Sequence, residues 1–348
     1  MLTLKEMFLI AFFFATAVLM TSQQAATAAD EAPTTIGGVI RLDPALDQLI
    51  PADAKIEILA SGLDWSEGPI WIKDGEYLLF SDIPQGLINC WKEGEGIKEW
   101  LKPSGYTGET PRGGELGSNG LTLNADGQLI ICQHGDRRVV QLDAPFDAPE
   151  PKFITLADKY DNKRFNSPND VVVHSSGVIY FTDPPYGMVK GFDDPNREMK
   201  YLGVFRRSLD GNVTLLTDQL SAPNGIAFSP DEKILYVAQS DPNAPIWMAF
   251  DVQDDGSISN GRVLMDGTEL LKKTKGLPDG LKCDKQGNLF ATGPGGVLII
   301  TPEGKHLGTI STGELISNCA FGNDGQTLYM TSDMYLCRIR LSTTGVGF

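Results

Sequence analysis

The sequence predicts an all-β protein folded as a six-bladed β-propeller, with the N-terminal strand closing the last blade. Two observations predict this fold. Six similar segments recur along the 348 residues, and each leads into an alternating apolar strand, a tight turn and a second strand. No helical periodicity of any length follows the apolar N-terminus. Four-stranded units repeated around a ring are the blades of a propeller.

The six repeats share their opening, which is a small residue or proline followed by an acid or an amide. They begin with Ser66-Glu67-Gly68, Ser118-Asn119-Gly120, Pro168-Asn169-Asp170, Pro223-Asn224-Gly225, Pro278-Asp279-Gly280 and Ser317-Asn318-Cys319. The acid or amide positions are 52, 50, 55, 55 and 39 residues apart, which is room for about four short strands each. Two β domains or a β-sandwich would not explain like residues at such regular intervals.

The last repeat is too short for a complete blade. Only 30 residues follow Asn318, which is enough for three strands. We therefore expect the apolar segment 55–59 to supply the fourth strand and to leave no free edge. The long polar segments 104–117 and 187–200 have the composition of loops, and they could cover one face of the ring.

The N-terminus has the features of a secretory signal peptide. Lys5 precedes a 14-residue stretch, 7–20, that is apolar but for Thr16, and Ala26-Thr27-Ala28 offers a small-x-small cleavage site. A membrane anchor is the alternative, although this stretch is shorter than the ~20 residues that span a bilayer. The predicted organisation is a signal peptide over 1–28, a lead segment over 29–49 and the propeller over 50–348. Cleavage near Ala28 would give an exported protein, periplasmic or secreted.

Charge and composition exclude several functions. The chain carries 45 Asp and Glu against 29 Lys and Arg, a net charge of -16, so nucleic acid is not an expected partner. Its three histidines come with no G-x-S-x-G, H-E-x-x-H or zinc-spaced Cys/His motif. Five cysteines, far apart in apolar runs, indicate buried thiols rather than a disulfide framework, and a single disulfide bridge is the alternative. No obligate protein partner is predicted.

The candidate site lies where the repeats begin. The first strand of each propeller blade lines the central channel, so the six opening positions converge on one mouth. They are Glu67, Asn119, Asn169, Asn224, Asp279 and Asn318. Any one of them could be a solvated turn residue, but six polar residues at one crowded place need partners, and a carboxylate needs a cation. Oxygen ligands favour one hard divalent cation, Ca²⁺ first, with Zn²⁺, Mn²⁺ or Mg²⁺ as alternatives.

Five motifs along the chain combine into a specific pattern. They are Ser66-Glu67-Gly68-Pro69, Ser167-Pro168-Asn169-Asp170, Phe181-Thr182-Asp183-Pro184-Pro185-Tyr186-Gly187, Ala222-Pro223-Asn224-Gly225 and Pro278-Asp279-Gly280. Together they resemble the gluconolactonase, regucalcin (senescence marker protein) and luciferin-regenerating enzyme family over about residues 50–341. The resemblance implies a six-bladed propeller that hydrolyses sugar lactones. It also implies a divalent metal held by Glu67, Asn224 and Asp279, with Asn169 as a further ligand or a substrate contact.

One position departs from the animal members of that family, which have an arginine two residues before the Asn of the Asn-Asp pair. This chain has Ser167 there, and Arg164 is the nearest arginine. Gluconolactone itself is therefore not assumed to be the substrate.

These residues lead to a mechanistic hypothesis for a lactone or similar ester. With the metal polarising the carbonyl, Asp279, or Glu67 as second choice, activates a water molecule as the base. The candidate substrate-binding residues are Asn119, His134, Asn169 and Asn318. Asp170 is expected to support a neighbouring ligand by hydrogen bonding. The alternative functions are an organophosphate-hydrolysing propeller enzyme and a non-catalytic binding propeller stabilised by Ca²⁺.

Overall fold

The computed structural model describes residues 34–348, which contain 27 strands, and 25 of them form six blades around a central channel. The predicted six-bladed propeller is confirmed. The predicted signal peptide and its cleavage site lie outside the described residues. Two strands precede the first blade, β1 (Gly38–Arg41) and β2 (Ile56–Ser61).

The blades follow one another along the chain. Blade 1 contains β3 (Ser66–Ile72), β4 (Tyr77–Asp82), β5 (Leu87–Lys92) and β6 (Gly96–Leu101). Blade 2 contains β7 (Leu121–Leu123), β8 (Leu129–Gln133), β9 (Arg138–Leu142) and β10 (Phe153–Ala157). A short hairpin follows, β11 (Lys159–Tyr160) with β12 (Lys163–Arg164). Blade 3 contains β13 (Val171–Val173), β14 (Ile179–Asp183), β15 (Gly203–Arg207) and β16 (Val213–Thr217).

The second half of the ring has the same design. Blade 4 contains β17 (Pro223–Phe228), β18 (Ile234–Asp241), β19 (Ala244–Val252) and β20 (Ile258–Asp266). Blade 5 contains β21 (Leu281–Cys283), β22 (Leu289–Gly293), β23 (Gly296–Ile300) and β24 (His306–Ser311). Blade 6 contains β25 (Asn318–Gly322), β26 (Thr327–Ser332) and β27 (Tyr335–Arg340). Each strand pairs antiparallel with the next one in its blade.

The first strand of each blade lies innermost. These strands contact one another around a closed ring, in the order β3, β7, β13, β17, β21, β25 and back to β3. The apolar core is divided into layers between adjacent blades. At the junction of blades 6 and 1, Trp71 stacks on Tyr329 with ring centroids 5.4 Å apart, and Trp91 packs beside them. A ring of inner strands held by such layers places the beginnings of all six strands at one end of the ring axis.

The ring closes by pairing the two ends of the propeller. Strand β2 is the outer strand of blade 6 and pairs antiparallel with β27, with Ile56 opposite Ile339. This confirms the predicted closure by an N-terminal strand. Strand β1 is not predicted from the sequence, and it adds a fifth strand to blade 5 by pairing with β24. Because Thr35 also bridges to Glu57 in β2, segment 35–61 joins the outer edges of blades 5 and 6.

Helices are short in the described part of the chain. They are one α-helix, α1 (Thr268–Leu271), and two 3₁₀ helices at Pro44–Gln48 and Gly191–Asp193. Between residues 34 and 348 there is no helix of the length and apolarity needed to cross a membrane. All five cysteines are buried and free, which confirms the expected thiols.

Candidate active site at the channel mouth

A cavity of about 580 Å³ opens at the end of the channel where the inner strands begin. Five of the six repeat-opening side chains line it. They are Glu67, Asn119, Asn169, Asn224 and Asp279. We call this the site cavity. The sixth residue, Asn318, lies directly behind its wall, where it contacts Glu67. The sequence repeat therefore brings these polar groups into one small volume, as its spacing predicts.

Glycine after the polar residue lets neighbouring inner strands approach closely. A Cβ on Gly280 would lie 2.0 Å from Cγ of Asn318, and one on Gly68 would lie 2.1 Å from the carbonyl oxygen of Asn119. Gly68 also has a φ of 54°, a conformation that other residues rarely adopt. A β-bulge follows Glu67 in β3, where the pairing with β4 shifts register before Ile70. Glycine therefore follows Glu67 and Asp279 because a larger residue would collide with the neighbouring inner strand.

Hydroxyl groups on the second strands hold the openings of the next blades. Ser81 Oγ donates to the carbonyl of Asn119 (2.8 Å), and Thr182 Oγ1 donates to that of Asn224 (2.6 Å). Thr292 Oγ1 donates in the same way to Ser317, at 2.9 Å. These three contacts are not predicted from the sequence. The signal for them is a serine or threonine near the end of each of these second strands.

Glu67 and Asp279 are two carboxyl groups with little solvation. Glu67 Oε2 accepts hydrogen bonds from the backbone N–H of Gly68 (2.9 Å) and from Nδ2 of Asn318 (3.0 Å). Burial nevertheless raises the pKa of Glu67 to about 7. The pKa of Asp279 is raised well above its usual value, first by burial and then by the charge of Glu67. Two such carboxylates are stable together only if a proton or a cation lies between them.

The donor set of the site cavity fits a hard divalent cation. Oδ1 of Asp279 and Oδ1 of Asn119 are buried and have no hydrogen-bond partner. Unpaired buried oxygens beside two carboxyl groups are costly unless a cation binds them. Within residues 34–348 no cluster of three or more His, Cys, Asp or Glu has the arrangement of a metal site. A cation here would therefore need amide oxygens as well as carboxylates, which is the mixture that Ca²⁺ accepts.

The sequence matches a known family along most of its length. The model of the SMP-30/Gluconolactonase/LRE-like region matches residues 65–334. The chain belongs to this family. The match includes all six repeat openings and therefore the whole lining of inner strands described above.

Curated relatives and solved structures agree with this membership. A gluconolactonase from Zymomonas mobilis is 40% identical over 97% of this chain and 95% of its own length. A pentonolactonase from Haloferax volcanii is 25% identical over 76% of this chain and 80% of its own length. The solved structure of a gluconolactonase from Xanthomonas campestris superimposes with a TM-score of 0.75 and 30% identity, covering 89% of this chain and 96% of that one.

Three sequence-predicted residues of this family member lie behind the cavity wall. His134 is fully buried, and its Nδ1 accepts from Nδ2 of Asn119 at 3.3 Å. Burial lowers the pKa of His134 to about 3, so the imidazole is neutral. Asp170 accepts the backbone N–H groups of Val171 (2.9 Å) and Ile226 (3.2 Å), which links blades 3 and 4. Asn318 holds Glu67, as described. All three contact or flank a lining residue rather than the open volume.

Ser167 stabilises a turn in this family member. Its Oγ donates to the carbonyl of Pro184 (2.6 Å) and accepts the N–H of Gly187 (2.9 Å). These bonds fix the Pro-Pro turn, and the turn presents Tyr186 to the site cavity. Arg164 binds the carbonyl of Asp136 at 2.8 Å instead of approaching the lining residues.

The lining also includes residues that the sequence analysis does not select as site residues. Glu115 reaches the cavity from the loop 104–117, and the apolar part of the wall contains Trp65, Ile83, Leu271, Leu277, Leu315 and Ile316. The loop is anticipated as a cover for one face, but nothing in its sequence marks Glu115. Glu115 lies outside the repeats, so its position cannot be predicted from their spacing.

Proposed function

We propose that this chain is a metal-dependent hydrolase that opens a sugar lactone or a similar cyclic ester. The observation that carries the proposal is the buried, unpartnered Oδ1 of Asp279 beside Glu67 in a cavity large enough for a sugar ring. Family membership and the 40% identity to a gluconolactonase support the reaction class.

One divalent cation, Ca²⁺ in the first place, would be held by Glu67, Asn169, Asn224 and Asp279. When bound, it would supply positive charge that polarises the lactone carbonyl and stabilises the oxyanion. Asn224 is prepared for this role because its Nδ2 donates to Oγ of Ser240 (2.9 Å), which fixes the orientation of the amide. Zn²⁺, Mn²⁺ and Mg²⁺ are the alternatives.

Asp279 is the proposed base. Oδ1 of Asp279 has no hydrogen-bond partner, so it can accept a proton from the attacking water. Glu67 is the second choice, because its two hydrogen bonds both fall on Oε2 and leave Oε1 free to act as the base. Asn119 and Asn169 are placed in the lining to contact the substrate. His134 would act on Asn119 by holding its Nδ2, which leaves Oδ1 for the cavity. Asn318 would act by fixing Glu67.

The protein is also proposed to be exported, because residues 1–28 have the sequence features of a secretory signal peptide. The substrate would then be a small lactone or ester outside the cytoplasm. The test is fractionation of cells that express the full chain, followed by N-terminal sequencing. A mature protein beginning near Ala29 in the periplasm or medium supports export, and an uncleaved chain in the cytoplasm contradicts it.

The enzymatic proposal is tested by titrating acid release from a panel of lactones. Protein treated with a chelator is compared with protein supplied with Ca²⁺, Zn²⁺, Mn²⁺ or Mg²⁺, and a phosphotriester is included in the panel. We expect hydroxylated lactones to be hydrolysed, the activity to be lost on chelation and one cation to restore it. Full activity after complete chelation would remove the metal from the mechanism. Hydrolysis of the phosphotriester alone would favour the organophosphate alternative.

A further inference from the structure

The loop 104–117 is fixed over the site cavity by polar contacts to two other segments. Arg112 Nη1 donates to the carbonyl of Gly187 at 3.1 Å, and its Nη2 donates to the carbonyl of Gly135. The guanidinium also lies over the ring of Tyr106, 5.1 Å from its centroid. The end of the loop is tied down by the N–H of Gly117, which donates to the carbonyl of Ile83 at 3.0 Å. A carboxylate carried by this loop is therefore held in place before any substrate binds.

Glu115 is that carboxylate, and it has no partner of its own. It lines the site cavity with 41% of its side chain exposed. Nδ1 of His134 is 3.6 Å from its Oε2, which is longer than a hydrogen bond, and the imidazole is neutral. Among the described residues Glu115 accepts no hydrogen bond. Partial burial raises its pKa to about 7, as expected for a carboxyl group that has lost part of its solvent contact and gained no partner.

Other polar groups without partners lie on the same cavity. The hydroxyl of Tyr186 and Oδ1 of Asn119 are both buried and unpaired. The remaining wall is mainly apolar, with Leu271, Leu277 and Ile316 among its residues. A cavity with hydrogen-bonding groups at a few places and an apolar wall elsewhere selects ligands by the position of their hydroxyl groups.

We propose that Glu115 is a substrate-binding residue that accepts hydrogen bonds from hydroxyl groups of a polyhydroxylated lactone. It thereby makes the enzyme prefer such lactones over unsubstituted cyclic esters. This inference rests on the proposed function, because it concerns the substrate of the same site. A hydroxyl bonded to a carboxylate contributes more than one bonded to a neutral group, so loss of the charge is expected to change affinity about tenfold or more.

The test compares E115Q with E109Q, a matched substitution at an exposed glutamate of the same loop. Each variant and the parent protein are assayed on glucono-δ-lactone and on δ-valerolactone, which has the same ring and no hydroxyl groups. We expect E115Q to raise the KM for gluconolactone about tenfold while the values for valerolactone stay within about twofold. We expect E109Q to behave as the parent on both substrates.

Unchanged gluconolactone kinetics in E115Q, or an equal loss on both lactones, would overturn the proposal. A thermal melt shows whether each variant is folded, and we expect no change for E115Q because Glu115 makes no hydrogen bond that folding needs. If E115Q fails to fold, the conservative variant E115D carries the same comparison. It should retain part of the preference for gluconolactone, and full retention of the parental preference would overturn the proposal.

A binding measurement separates this proposal from the proposed function. Calorimetry with glucono-δ-lactam and δ-valerolactam, which are not hydrolysed as esters, reports hydroxyl recognition without turnover. Weaker binding of the hydroxylated lactam by E115Q alone supports the role of Glu115 even if the parent protein hydrolyses no lactone. Equal binding by the parent and E115Q contradicts it even if the parent is an active lactonase.

Discussion

The two mouths of the channel are built from the same six inner strands, but different side chains line them. The site cavity, about 580 Å³, is lined by carboxylates and amides at the strand beginnings. The opposite cavity is larger, about 890 Å³, and is lined further along the same strands by residues such as Val171, Ile226 and Phe321. Charged groups are present there, but Glu232 already accepts the N–H of Ser175 at 2.8 Å.

The larger of the two cavities is therefore not the one that contains the candidate active site. What distinguishes the site cavity is buried polar atoms without partners, Oδ1 of Asp279 and Oδ1 of Asn119 among them. Groups already paired with their neighbours gain less from a ligand, whereas an unpaired buried group gains a partner that it lacks. Substitutions at the two mouths should therefore differ sharply in their effect on activity.

The largest difference is expected between D279N at the site cavity and E232Q at the opposite cavity. Removing the proposed base should lower kcat about 10²–10⁴-fold, whereas E232Q should leave kcat and KM within about twofold. Steady-state kinetics measure both, and bound metal is counted in the same preparations. If D279N kept its metal and its full rate, Asp279 would not be the base. If E232Q lost activity equally, the distinction between the mouths would fail.

A second difference concerns the close packing of the inner strands at the site cavity. G280A places a methyl group against Asn318, which should displace the amide that holds Glu67. We expect the free energy of unfolding to fall by about 1–3 kcal/mol and kcat/KM to fall with it. The control is G38A on β1, where a Cβ meets no atom within 4 Å. Urea titration gives the stabilities, and equal stability of both variants would contradict the steric account.

The third prediction concerns pH in protein freed of divalent cations. Burial raises the pKa of Glu67 in the folded protein to about 7 from 4.5, so folding favours its protonated form. That contribution is complete below about pH 4.5 and is lost as the pH rises through about 7. The melting temperature should therefore fall by a few degrees across this range. E67Q should reduce the fall, and so should a saturating cation in the parent protein. A fall that is identical in E67Q would assign it to another group.

The smallest effect is expected for F348A at the opposite cavity. Phe348 lies under the ammonium of Lys73, 4.4 Å from its ring centroid, and lines that cavity. Its removal should cost some stability while kcat/KM stays within about twofold, because no unpaired polar group is disturbed. Kinetics on a lactone that the parent hydrolyses provide the check. A large loss of activity would show that the two mouths are coupled through the channel.

The sequence predicts the parts of this molecule that repeat. Glu67, Asn224 and Asp279 could be placed together because each occupies the same position of a blade, and ring symmetry brings equivalent positions to one mouth. Asn318 occupies that position too, but its side chain turns to Glu67 and to the N–H of Cys319 (2.8 Å) instead of the open volume. Spacing predicts where a backbone lies and leaves the direction of an amide to its local hydrogen bonds.

What occurs only once in the chain could not be predicted in this way. Strand β1 and Glu115 belong to single segments outside the repeats, and their positions depend on contacts made after the ring has formed. Arg112, which fixes the loop of Glu115, finds carbonyl groups of two other segments. The second-strand hydroxyls are different, because their pattern is visible in the sequence. Their function requires knowing that each one faces the opening of the next blade.

The way the ring closes also means that its last blade can be completed only after the other five. Ile56 of β2 and its partner Ile339 of β27 are 283 residues apart, so blade 6 contains nearly the first and nearly the last part of the described chain to be synthesised. Blades 1 to 5 have their inner four strands complete before that pairing is available. A chain truncated before β27 would therefore expose β2 as an unpaired edge, the kind of surface that recruits other chains into aggregates. The edge of β2 is therefore covered only when β27, within the last 14 residues, has been made.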